Sequence, residues 1–313
     1  MPKVMLTGSS GFVGQKVAQK LRVAGFSTVR AVRNISQDSE AVIVGPIGGD
    51  TDWRAALNGC EAVIHLAART PGRDVPDGEF AVINDLGTAR LAEQAWEAGA
   101  KTFIFMSSIF ALTKNAHGTI VDDETQTVTD LPYGRSKLAA EVHVAAFAGD
   151  GRTGISLRPP LVYGATAKGN WRLLQKLAAT PLPLPFGAVH NRRSIMSVDN
   201  LADAVLTALR GASPEKSGAY AVADNEATSL AQIIRWLREG MEKQTRLVPL
   251  PSALLTATLK LAGCGDIGQS LLGDLEIDSS RFRQTFGWSP PETVSEAIRR
   301  SGHEFAAMAT GQR

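Results

Sequence analysis

Tyr133 and Lys137 stand four residues apart, so a helix through them sets a phenol and an ammonium on one face. A free phenol has a pKa of about 10 and is a poor base at neutral pH. A neighbouring cation favours the phenolate, typically by about one to three units. A tyrosine so placed can take a proton from a hydroxyl while hydride leaves the same carbon, or return it in the reverse reduction. Ser108 follows the apolar run Thr102-Phe103-Ile104-Phe105-Met106, at a strand end where it can hydrogen-bond the reacting oxygen; Ser107 is the second candidate. Taken singly, the Tyr–Lys spacing also fits an ordinary surface helix.

The elements around these residues narrow the choice. Near the N-terminus, Lys3-Val4-Met5-Leu6 reads as a buried parallel strand and leads into Thr7-Gly8-Ser9-Ser10-Gly11-Phe12-Val13-Gly14. Val13, Val17, Leu21 and Ala24 then recur at helical spacing up to Gly25, a C-cap. A strand, a glycine turn and a helix in that order present the amides of the first turn, Phe12 and Val13 among them, to a pyrophosphate. Gly8 permits the tight turn, Gly11 lets phosphate approach the backbone, and Gly14 lets helix and strand pack closely. The spacing G-x-x-G-x-x-G is one residue longer than the dinucleotide fingerprint. An oxidised nicotinamide beside Tyr133 would add a second positive charge favouring its phenolate.

Further strands are expected over Phe26–Val32, Val42–Val44, Ala62–Ala67 and Gly154–Arg158. Helices are expected from Asp52 through Leu57, with Asp52 as cap or opening residue, over Val82–Ala98, and over Tyr133–Ala148. Strands alternating with helices predict a doubly wound α/β fold, a parallel sheet with ligands at the carboxyl ends of its strands. After Pro159-Pro160 the rhythm changes, and Pro181, Pro183 and Pro185 mark a loop. The expected division is a dinucleotide-binding domain over 1–160, rejoined near 194–224, and a smaller mixed substrate lobe from 161–193 and 225–313.

Composition excludes several classes. The 313 residues are 44% apolar and 20% charged, with a formal charge of +2, too balanced for nucleic-acid binding. Cys60 and Cys264 are far apart, and His117, His143, His190 and His303 have no metal-ligand spacing, so reduced thiols and no metal are expected. His65, inside a strand, reads as a packed core residue. Met1-Pro2-Lys3 leaves no room for a signal peptide, and Leu250–Ala262, with Pro251, Ser252 and Lys260, is too short to span a bilayer. A cytoplasmic protein that does not enter membranes is expected.

Taken together, the chain resembles the extended short-chain dehydrogenase/reductase family, with its Rossmann fold and its nucleotide-sugar epimerases, dehydratases and reductases. The residues carrying the resemblance are the glycine turn, His65-Leu66-Ala67-Ala68, Asn84 with Gly87-Thr88, Ser107-Ser108, Tyr133-x-x-x-Lys137 and Arg158-Pro159-Pro160-x-x-Tyr163-Gly164. Lys168-Gly169-Asn170, the proline loop, Asn191-Arg192-Arg193-Ser194 and Asn200-Leu201-Ala202-Asp203-Ala204 resemble bacterial UDP-hexose 4-epimerases and UDP-4-keto-sugar reductases of polysaccharide pathways. The resemblance implies Tyr133 as acid/base, Lys137 as its pKa-lowering partner and ribose ligand, and Ser108 as anchor of the substrate oxygen. It places Leu66, Ala67, Ala68, Asn84 and Pro159 at the cofactor, Arg193 on the substrate diphosphate and Asn170 on the uridine side. It also implies a homodimer.

Two departures from the family pattern matter. Where the family's 4,6-dehydratases carry an acidic pair after this strand, Ile109 and Phe110 stand here and cannot transfer protons. Gln269-Ser270-Leu271-Leu272 occupies the neighbourhood of a second diphosphate arginine, and Arg69–Val75 differs from its counterparts and could face the sugar. The second strand ends in Arg30 and Arg33 with no acid until Asp38, so Arg33 pairing with a 2′-phosphate favours NADP over NAD. Asp50 or Asp52 would hold the adenine end. The main expectation is an NAD(P)-dependent epimerase or 4-keto reductase acting at C4 of a UDP-hexose. A reductase of a non-nucleotide ketone and a non-catalytic cofactor sensor are the alternatives.

Overall fold

The computed structural model describes residues 2–34, 41–72, 75–114, 118–126, 129–251, 254–255 and 271–311. Met1, Asp38, His117, Ser252, Lys260, Cys264, Gln269 and Ser270, named above, lie outside the described residues, as do 73–74 of the loop Arg69–Val75 and most of 250–262.

The strands are β1 (Lys3–Thr7), β2 (Ser27–Val32), β3 (Ala41–Ile43), β4 (Ala62–His65), β5 (Thr102–Met106), β6 (Ile120–Val121), β7 (Thr153–Arg158), β8 (Leu161–Tyr163), β9 (Ile195–Ser197), β10 (Gly218–Ala221) and β11 (Glu276–Ile277). Seven of them make one sheet in the order β10-β7-β5-β4-β1-β2-β3, with every neighbouring pair parallel. A parallel sheet is covered on both faces, which is why its inner strands read as unbroken apolar runs. Val4, Leu6, Ile64, Ile104 and Leu157 face one core with Val17 and Leu21 of α1 (Phe12–Val23). Met5, Val63, Phe103 and Phe105 alternate to the opposite core.

That second core takes up α2 (Arg54–Leu57) and two long helices, α4 (Gly87–Glu97) and α5 (Pro132–Phe147), through Leu57, Leu91, Ala95 and Val144. The helix expected over 82–98 starts earlier. It opens as α3 (Asp77–Phe80), widens into a π turn over Ala81–Leu86 and runs on as α4. Asn84 explains the widening: its side chain is turned inward, accepting from Arg69 N at 2.7 Å and donating to Arg69 O at 3.0 Å and Ser136 Oγ at 3.0 Å. Such insertions frequently mark functional positions.

Asp52 does not cap α2. Trp53 takes the cap position, because burying its ring and donating its N–H to Gln94 Oε1 at 2.7 Å fix where the helix starts. Asp52, one residue earlier, accepts from Arg54 N at 3.1 Å instead.

Beyond Pro160, α6 (Gly169–Ala179), α8 (Leu230–Gly240) and α10 (Val294–Thr310) share a further core built on Trp171, Leu174, Ile234, Leu237 and Ile298. Between them α7 (Val198–Arg210) packs Leu201 and Val205 onto the α1 face of the sheet, and β10 then pairs with β7. The short helix α9 (Ser280–Phe286) adds Phe282 and Phe286 to that same core. Arg238 of α8 is 1% exposed and donates to the carbonyls of Ala178, Thr180, Leu182 and Arg246. It thereby ties down the proline loop that follows α6. Among the described residues no helix is long and apolar enough to cross a membrane.

Candidate active site

All seven sheet strands run the same way, so the segments leaving their carboxyl ends gather along one edge. Gly8 to Gly11 follow β1, Arg33 follows β2, Asp50 follows β3, Leu66 to Ala68 follow β4, Ser107 and Ser108 follow β5, and Pro159 follows β7. The crevice lies between β1 and β4, where the strand order reverses.

There the glycine turn leaves no room for side chains. Gly8 has φ +69°, and a Cβ on it would stand 2.7 Å from Ala67 N; one on Gly14 would stand 2.0 Å from Gly8 O. Gly11 sits at the cap of α1, no side chain caps that helix, and its first turn holds no acid. Its opening amides, with Phe12 and Val13 in that turn, are left for an anion. These donors fit the pyrophosphate of a dinucleotide. Arg33 and Asp50 are exposed on neighbouring loops of the same edge.

Tyr133 and Lys137 open α5, one turn apart. Gly134 permits the helix to sit against the turn Ile109–Ala111, since a Cβ there would lie 2.2 Å from Phe110 O. Lys137 is buried; its Nζ donates to Met106 O at 2.8 Å and lies 4.5 Å from the Phe105 ring centre and 6.0 Å from that of Tyr133. Tyr133 meets Phe80 edge-on at 5.9 Å, and the Ser108 hydroxyl is near enough to favour its phenolate.

The expected lowering of the phenol pKa is not what this arrangement gives by itself. Burial pushes Tyr133 up to about 12 against the opposing effect of the Ser108 hydroxyl. Burial likewise pulls Lys137 down to about 7, against the opposing charge of Glu141. Desolvation penalises both charged forms, so the pair alone holds a neutral phenol and a weakened ammonium, and the phenolate needs further positive charge.

The two serines separate cleanly. Ser108 faces Tyr133, whereas the Ser107 hydroxyl donates to Glu141 Oε1 at 2.5 Å and is turned away from it. Ile109 is buried and Phe110 half-buried, and neither carries a proton.

Behind the crevice runs a chain of hydrogen bonds whose direction is fixed by counting donors. Leu66 N and Ala67 N each donate to Thr7 Oγ1 at 3.1 Å, so the Thr7 hydroxyl donates to His65 Nδ1 at 2.7 Å. His65 then carries its proton on Nε2 and donates it to Thr88 Oγ1 at 3.1 Å, and Thr88 donates to Asn84 O at 2.6 Å. His65 is fully buried, and burial with nearby Lys137 pulls it down to about 3. The unfolded chain protonates it near the ordinary 6.5 and the fold does not. This group's contribution to stability is therefore complete above about pH 6.5 and is lost as pH falls toward 3. At pH 5 the expected loss is about 2 kcal/mol. Urea midpoints at pH 7 and pH 5 should draw together in His65→Gln; an unchanged gap between them would refute the assignment.

Arg193 and Asn170 come from elements beyond Pro160, with Arg193 bridging to Thr228 and to Leu275, which packs with Ile109. Asn170 is in the first turn of α6. Arg193 N donates to Thr228 O at 2.9 Å, and its Nη1 donates to Gly273 O at 2.9 Å. Burial pulls its guanidinium down, and among the described residues no carboxylate is ion-paired with it. Leu161, just after Pro159-Pro160, pairs with Ile195, so Arg193 approaches β9 on the side where Pro159 leaves β7. Arg69, in the loop expected to face the sugar, is ion-paired with Glu79 at 2.9 Å.

The family model described as NAD dependent epimerase/dehydratase matches residues 4–223, from β1 to just past β10. The chain belongs to the NAD-dependent epimerase/dehydratase family. Within it, a UDP-glucose 4-epimerase of Vibrio cholerae is 34% identical over 97% of this chain and 96% of its own. An N-acetyl-alpha-D-glucosaminyl-diphospho-ditrans,octacis-undecaprenol 4-epimerase of Escherichia coli O157:H7 is 25% identical over 95% and 93%. The crystal structure of a UDP-N-acetylglucosamine 4-epimerase from Bacillus cereus shares the fold, with TM-score 0.81 and 21% identity, covering 97% of this chain and 99% of that one. Membership in the NAD-dependent epimerase/dehydratase family accords with the anion-ready turn between β1 and α1.

Reading the sequence for chemistry passed over Glu141, Arg158 and Gly134 as site-building residues. Glu141 alone offered a signal, lying one further helical turn from Lys137 on the face already marked by Tyr133.

Proposed function

We propose that this protein moves hydride at C4 of a UDP-hexose, as an epimerase or a 4-keto reductase. The observation that carries the reading is the Tyr133 phenol beside Ser108 and one helical turn from buried Lys137, on the same sheet edge as the glycine cradle. The names of the Vibrio cholerae relative and the Bacillus cereus structure support the substrate class. Gly8, Gly11, Phe12, Val13 and Gly14 hold the dinucleotide's pyrophosphate, Asp50 its adenine end, and Leu66, Ala67, Ala68, Asn84, Lys137 and Pro159 the remainder. A nicotinamide bound there would supply the hydride acceptor and donor.

Tyr133 takes the C4 hydroxyl proton and later returns it, Ser108 holds that oxygen, and Lys137 supplies a fixed cation beside both. Arg193 grips the diphosphate with its planar fork and Asn170 the uridine side. Arg33 pairs with a 2′-phosphate, which favours NADP over NAD. Residues 161–193 and 225–313 serve as the substrate lobe of a cytoplasmic homodimer.

The test is a thermal-shift panel of NAD, NADP, UDP and UDP-glucose, followed by product analysis with UDP-glucose. Stabilisation by UDP with galactose-configured product and no net cofactor turnover marks an epimerase. Stoichiometric cofactor oxidation with a UDP-4-keto sugar marks a reductase. Indifference to UDP, with turnover of a simple ketone, would overturn the nucleotide-sugar reading.

A further inference from the structure

Glu141 is a buried carboxylate, one helical turn beyond Lys137, for which the hydride-transfer chemistry above has no use. It is held from two sides. Arg158, itself buried, donates Nε to Oε1 at 2.9 Å and Nη2 to Oε2 at 2.6 Å, a two-pronged grip. The Ser107 hydroxyl donates to Oε1 as well. Arg158 ends β7 and precedes Pro159; Ser107 follows β5 and precedes Ser108. One side chain of α5 is thus bonded to the immediate neighbours of two strand-end site residues, while Tyr133 and Lys137 share its own helix.

We propose that Glu141 is a positioning residue: through Ser107 and Arg158 it fixes Ser108 and Pro159 in register with Tyr133 and Lys137. This rests on the roles given above to Tyr133, Lys137 and Ser108. A second bond works in the same sense, since Lys137 donates to Met106 O at the same end of β5. The assembly also acts electrostatically. The groups facing Lys137 are Tyr133 and Glu141 on α5, Arg158 of β7 through Glu141, and neutral His65 of β4. Among these Glu141 is the anion, and its charge favours the ammonium against burial. Without it, Lys137 loses its counter-charge and the Arg158 cation is left unpaired, and both changes disfavour a charged Lys137.

The experiment compares Glu141→Gln, Ser107→Ala, Tyr133→Phe and the unaltered protein, following C4 turnover against pH and folding by circular dichroism. Glu141→Gln is expected to lower kcat by about 100-fold with little change in substrate KM, as a misplacement near 1 Å does. The alkaline limb of its pH–kcat profile should move down by about one unit. Folded Glu141→Gln protein with the native kcat and profile would overturn the proposal. Should that variant not fold, Ser107→Ala decides, because it keeps the buried ion pair. A several-fold lower kcat at unchanged KM supports positioning, and native kcat refutes it. If Tyr133→Phe itself turns over normally, what fails is the underlying assignment of the site, and the proposal falls with it.

Discussion

Tyr133→Phe is expected to lower kcat at C4 by about a hundred- to ten-thousand-fold, the range over which positioned proton transfer contributes. Phenylalanine keeps the edge-on packing against Phe80 and loses only the hydroxyl beside Ser108. Folding and dinucleotide affinity should therefore stay close to native, so the loss falls on kcat. The pH response has a definite sign. Burial holds the phenol near 12, so only added positive charge brings its titration into a useful range. Native activity should then rise with pH as the phenolate forms in the loaded protein, and the Phe variant should lose that rise. Native kcat in the Phe variant would remove Tyr133 from the chemistry.

The second large effect is on stability, far from the cleft. Arg238→Ala strips four carbonyls, those of Ala178, Thr180, Leu182 and Arg246, of a buried donor. Leu182 and Arg246 lie at the surface, where water can replace the donor, so the cost falls on the more buried acceptors, on the order of 1–3 kcal/mol each and about 3 kcal/mol in total. For a domain of this size that corresponds to a fall in Tm of roughly 6–12 °C. Lys should not rescue, because one ammonium cannot span a fan of acceptors suited to a guanidinium. Calorimetry finding a native Tm in Arg238→Ala would show that the loop finds other donors.

The core strands were legible because burial on both faces writes itself as apolar runs, as in Val4–Leu6, Ala62–Ile64 and Phe103–Met106. The glycine turn was legible for a comparable reason, since close backbone approach admits no other residue at Gly8 and Gly14. The π turn was hidden. Its cause is the distant backbone of Arg69, and Val82 and Leu86, though apolar, end up exposed on it. Pairings such as β6 with β11, two residues each and more than a hundred apart in sequence, leave no local pattern at all. The ionisation of Tyr133 and Lys137 was misjudged because spacing reveals their proximity but not their desolvation. Ser107 and Ser108, equivalent as adjacent letters, are told apart only by where Glu141 lies.

The place of β10 bears on how this chain can be made. Its residues come 60 positions after the end of β7, yet they cover the open flank of that strand. A ribosome that has released only the first 160 residues leaves β7 with unpaired amides and carbonyls, an invitation to edge-to-edge association. Shortening the gene at the apparent seam near Pro160 should therefore give insoluble protein, whereas a stop after α9 would at least leave β7 covered by β10.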